Sequence, residues 1–84
     1  VVTVNPTEHL ERAELRQRID QALSQLSVAH RTVLVLHEFE GMEYKTIAQT
    51  VGCSMGTVMS RLFYARRKLA ALLADLKNEK LDLQ

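Results

Sequence analysis

A chain of 84 residues holds one domain, and a domain of that size buries only about 60 to 65% of the surface its unfolded form exposes, so a partner surface can matter to it. Hydrophobic residues make up 46% and charged residues 25%, the balance of a soluble globular domain, and no apolar run approaches the roughly 18 to 20 residues that cross a membrane. A lone cysteine excludes an intramolecular disulfide, and no basic start followed by an apolar stretch marks a secretory signal, so a reducing cytosol fits best. The first residue is Val1 rather than Met, and the chain reads as a piece of something longer.

The net charge of +1 hides an asymmetry. Residues 1–43 carry four basic side chains against seven acidic ones, a balance of −3, whereas residues 44–84 carry seven against three, a balance of +4. No acid occurs between Tyr44 and Ala74, a stretch that holds Lys45, Arg61, Arg66, Arg67 and Lys68. Such a distribution is either a solvated helix face or the footprint of a surface that meets phosphate.

In chain order, Val1 to Asn5 reads as linker, with Asn5 also able to cap a first helix that starts at Pro6 and has Glu8 near its positive dipole end. Leu15, Ile19, Ala22, Leu23 and Leu26 recur at spacings of three and four, one apolar stripe of a helix ending near Leu26. Ser27 caps a second helix, Val28 to Glu40, which Gly41 ends; Val33 to Leu36 at its centre is apolar on more than one face, as in a helix that is enclosed or contacted by a partner. A short third helix runs from Tyr44 to Val51 and stops at Gly52. Ser54 caps a long fourth helix through at least Leu76, leaving residues 77–84 as a polar, fraying tail and residues 6–76 as the folded domain. The expected class is all-α, a small four-helix domain.

Tyr44 to Leu62 has the grammar of a helix-turn-helix. Ala48 is small where two helices approach, Gly52 makes the turn, and Ile47, Val51, Val58 and Leu62 supply the apolar contacts that fix the interhelical angle. Wound at about 100° per residue, the fourth helix gathers Val58, Leu62, Ala65, Leu69, Leu72 and Leu76 on a core face. Gly56, Met59, Ser60, Phe63 and Arg67 gather opposite, with Tyr64 at the edge. Large apolar groups beside a hydroxyl and a guanidinium, with no acid, suit a major groove, where they can meet thymine methyls, base edges and guanine or phosphate. Gly56 allows the helix N-terminus, whose amides favour a phosphate, to come close to a DNA backbone. A helical hairpin that binds nothing is the alternative at this point.

The run LHEFEGMEYKTIAQTVGCSMGTVMSRLFYARRKL resembles region 4 of sigma-70 family factors, specifically the extracytoplasmic function (ECF) group. Its most specific pieces are Gly56-Thr57-Val58, Ser60-Arg61-Leu62 and Ala65-Arg66, with Glu40-Gly41 and Ile47-Ala48 upstream. The resemblance implies a bacterial cytoplasmic domain that binds the minus-35 promoter element in duplex DNA, docks on the β-subunit flap of RNA polymerase and is controlled by an anti-sigma factor. Met59, Ser60, Phe63 and Tyr64 resemble the family's DNA-facing positions, and Tyr44 and Lys45 its phosphate-contacting ones. The resulting DNA-binding set is Tyr44, Lys45, Gly56, Thr57, Met59, Ser60, Arg61, Phe63, Tyr64 and Arg67. The sequence departs from the family at Met59 and Tyr64, where a basic residue is common, and at Glu43, where a capping serine is common. Those departures point to lower affinity in isolation, an altered base preference and a weaker start to the third helix.

Cys53 at the turn and His9, His30 and His37 on separate elements form no recognisable metal-ligand spacing, and no nucleophile, base and orienting group stand together. Neither a metal, a cofactor nor an enzymatic activity is expected. Two other functions stay open: a sigma-like decoy that binds an anti-sigma factor without touching DNA, and the helix-turn-helix effector domain of a transcriptional regulator.

Overall fold

Caps and apolar spacing set the elements. The computed structural model describes the backbone of residues 6–82 and the side chains of residues 9–75. It consists of four α-helices: α1 (Pro6–Ser24), α2 (Val28–Leu34), α3 (Tyr44–Val51) and α4 (Met55–Asp82), with a π-helical turn, Val35–Phe39, continuing α2. No strand occurs among the described residues. The linker at residues 1–5 with its Asn5 cap, the side chains of Glu8 and Leu76, and the last residues of the polar tail lie outside the described part. Helical backbone continues past Leu76 to Asp82.

α1 stops two residues earlier than its apolar stripe. The amides of Gln25 and Leu26 donate to the carbonyls of Ala22 and Leu23, both at 3.1 Å, and this tight turn drops Leu26 into the core at 4% exposure. Ser27 then caps α2 as expected, its hydroxyl accepting from the His30 amide at 3.2 Å. The upstream end of the α1 stripe is not core: Ala22 is fully buried and Ile19 and Leu23 half-buried, but Leu15 is 56% exposed.

The second helix is not α-helical through to Glu40. From Val35 the turn widens, the Glu40 amide donating to the Val35 carbonyl five residues back at 3.1 Å. The Leu36 carbonyl finds its partner in the loop instead, accepting from the Met42 amide at 2.9 Å, and His37 Nδ1–H donates to the Met42 carbonyl at 2.8 Å. Gly41 makes the reversal at φ +68°.

Leu26, Val33, Leu34, Ile47, Ala48, Val58, Leu62 and Ala65 form one core in which α2, α3 and α4 meet. Val33, Leu34, Ile47, Val58 and Leu62 lose almost all contact with solvent, each such burial stabilising by about 1.5 to 3 kcal/mol. Leu69 packs at the margin and Leu72 is half-buried, so the core face assigned to α4 is the observed one as far as its side chains are described.

Candidate nucleic-acid interface

Three local devices join α3 to α4. Gly52 closes α3 in the left-handed conformation at φ +77°, and the amides of Gly52 and Cys53 both donate to the Ala48 carbonyl, at 2.9 and 3.0 Å. Ser54 then caps α4: its hydroxyl accepts from the Thr57 amide at 3.1 Å and donates to the Thr57 hydroxyl at 3.0 Å. Between the helices Ile47 is fully buried with Val58 and Leu62, and Ala48 keeps 7% exposure. At the start of α3, Glu43 caps through its backbone alone, with no side-chain hydrogen bond, as its departure from serine implied.

The outward face of α4 is exposed where the helical wheel placed it. Met59 is 48%, Phe63 54% and Tyr64 57% exposed, and Gly56, Ser60 and Arg67 are exposed beside them. Phe63 and Tyr64 meet edge to face with centroids 5.3 Å apart, and the Arg67 guanidinium lies 5.6 Å from the Phe63 ring centroid. Tyr44, Met59, Leu62, Phe63, Arg66, Arg67 and Ala70 line one shallow groove. Tyr44 is half-buried there, tilted against His37 at 4.7 Å, while Lys45 is exposed. Thr57 and Arg61 stand apart: both are half-buried, and Arg61 lies about 130° around the helix from the centre of the outward face.

Arg66 falls in the acid-free stretch, yet its Nε donates to Glu38 Oε1 at 2.7 Å, so the fold supplies the acid that the local sequence lacks. This hydrogen bond holds the Arg66 guanidinium above its ordinary pKa against partial desolvation, with Tyr44 acting in the same direction. Glu38 lies 28 positions away in the chain, and no local pattern announces such a pair. Met55, 43% exposed at the start of α4, is a further apolar surface residue that the helical wheel did not single out. Among the described residues no group of His, Cys, Asp and Glu could hold a metal, and no helix is long and apolar enough to cross a membrane.

Fold and site together define a helix-turn-helix domain whose second helix offers an acid-free, partly apolar face. The family model for sigma-70, region 4, matches residues 16–69, and the chain belongs to that family. It is 39% identical over 75 residues to the RNA polymerase sigma-H factor of Pseudomonas aeruginosa, an alignment covering 89% of this chain and 39% of that protein. To the ECF RNA polymerase sigma-E factors of Escherichia coli K12 and Salmonella typhimurium LT2 it is 35% identical over 65 residues, covering 77% of this chain and 34% of each of those proteins. The chain thus spans between a third and two-fifths of the length of these relatives.

Proposed function

We propose that this domain is the promoter-reading end of an ECF sigma factor, laying α4 in the major groove of the minus-35 element while the start of α3 crosses the phosphate backbone. The observation that carries this reading is the joint exposure of Gly56, Met59, Ser60, Phe63, Tyr64 and Arg67 on a face of α4 with no acid. Met59 and Phe63 would meet thymine methyls, and Ser60 and the Tyr64 hydroxyl would bond base edges. Tyr44, Lys45 and Arg67 supply phosphate contacts, and the α4 N-terminus at Gly56 and Thr57 places its dipole against the backbone. Family membership extends the proposal to RNA polymerase, with docking on the β flap, and to an anti-sigma factor. The apolar surface around Phe39, 59% exposed, is available to such protein partners.

The test has two stages. The chain selects duplexes from a randomised pool, and the enriched sequence is then placed upstream of a start site and footprinted with the full-length factor and polymerase. Enrichment of one sequence, protected around minus-35 and lost with Phe63→Ala, supports the proposal. No enrichment, or a Phe63→Ala variant that reads DNA normally and fails only to bind a protein partner, moves the decoy reading ahead.

A further inference from the structure

Arg66 and Arg67 are neighbours in sequence but have different surroundings. Arg67 lies over the Phe63 ring on the outward face, whereas Arg66 turns to the π turn, where Nε and Nη2 both bond Oε1 of Glu38. This is the one ion pair among the described residues. Both side chains keep solvent contact, 46% for Arg66 and 42% for Glu38, and Arg66 lines the same groove as Tyr44, Met59, Phe63 and Arg67, so only its pairing with Glu38 sets it apart from Arg67.

We infer that Glu38 is a positioning residue that withholds Arg66 from DNA, tying its guanidinium to the π turn so that Arg67, and not Arg66, serves the phosphate backbone. The inference rests on the DNA-binding reading above. Its physical basis is competition for one donor edge: two N–H groups committed to a carboxylate oxygen are unavailable to a phosphate oxygen, and the carboxylate repels a phosphate approaching the same edge. Without the Glu38 charge, the same guanidinium becomes a phosphate ligand next to Tyr44. The native pair therefore lowers the number of phosphates the domain neutralises by one, and it anchors α4 to the segment that follows α2.

The measurement is the slope of log affinity against log salt concentration for the chain on its selected duplex, since each phosphate contact contributes about 0.9 to that slope. Lys45→Ala should flatten it by about 0.9 and shows that the assay sees phosphate contacts. Arg66→Ala should leave the slope at its wild-type value. Glu38→Gln should steepen it by about 0.9, and Glu38→Gln with Arg66→Ala should restore it. A slope flattened by Arg66→Ala alone would mean that Arg66 already meets phosphate, and the inference fails; this arm decides even if Glu38→Gln does not fold. An unchanged slope in folded Glu38→Gln also overturns it, as does a double variant that stays steep, because the effect would then be loss of a negative charge without any role for Arg66. If the wild-type chain binds no duplex and Lys45→Ala changes nothing, the DNA-binding reading itself falls, a result distinct from failure of the Glu38 arms alone.

Discussion

Phe63 and Arg67 sit one helical turn apart on α4 with the guanidinium over the ring, and their division of labour is testable residue by residue. An apolar or hydroxyl contact to a base edge discriminates between sequences, whereas a phosphate contact carries little sequence information. Phe63→Ala and Ser60→Ala should each narrow the gap between selected and scrambled duplexes, by about 1 to 3 kcal/mol at most. Arg67→Ala should instead weaken both duplexes alike and flatten the salt dependence by about 0.9. Four affinities at one fixed salt concentration, plus one salt series, separate the two behaviours. A change in sequence discrimination with Arg67→Ala would give that arginine a base contact.

At the scale of elements, the two helix boundaries of the motif differ in quality. α4 starts on a full Ser54 cap, but α3 starts on Glu43 without one. Glu43→Ser should therefore stabilise the domain, by about 0.5 to 1 kcal/mol in a denaturant titration, the loss of a favourable charge at the helix start offsetting part of the gain. The turn between them depends on a backbone state: nothing lies within 4 Å of a Cβ at Gly52, but its φ of +77° disfavours any side chain. Gly52→Ala should cost about 1 to 2 kcal/mol with the same fold retained by circular dichroism. Leu62→Ala removes a 1%-exposed α4 side chain from the core shared with α2 and α3 and should cost about 2 to 5 kcal/mol, enough to unfold a marginally stable domain. A melting temperature unchanged by Leu62→Ala would contradict the packing described.

The whole molecule is more extended than its length requires. Its Cα radius of gyration is 15.9 Å, against about 12 Å for a compact chain of this size. Two long helices account for this: α4, 28 residues long, spans about 42 Å at 1.5 Å per residue, and α1 contributes Ala22 and the following Leu26 to the core but leaves Leu10 and Leu15 more than half exposed. Amide exchange should reflect this, with the first half of α1 exchanging near the unprotected rate while Val33, Leu34, Ile47 and Leu62 exchange only through global unfolding. Protection of residues 9–16 equal to that of the core would place a partner or a second copy on α1.

Much of this protein was legible in the order of its residues, because the information is local there. The Ser27 and Ser54 caps, the glycines at 41 and 52, and the spacing of Val58, Leu62, Ala65 and Leu69 act over one or two helical turns, so helix number, the turn and the outward face of α4 follow from the chain alone. The motif Gly56-Thr57-Val58 with Ser60-Arg61-Leu62 carried the family for the same reason. Only the tertiary structure decided the rest. Whether Leu15 in a good apolar stripe finds a surface to cover it depends on where α1 ends against α4, and spacing within one helix carries no information about that. The wide turn at Val35–Phe39 is tied to the loop, where the Met42 amide meets the Leu36 carbonyl. Arg66 looked uncompensated because charge was counted along the chain, whereas Coulomb attraction acts through space, and folding brings Glu38 to it from another element.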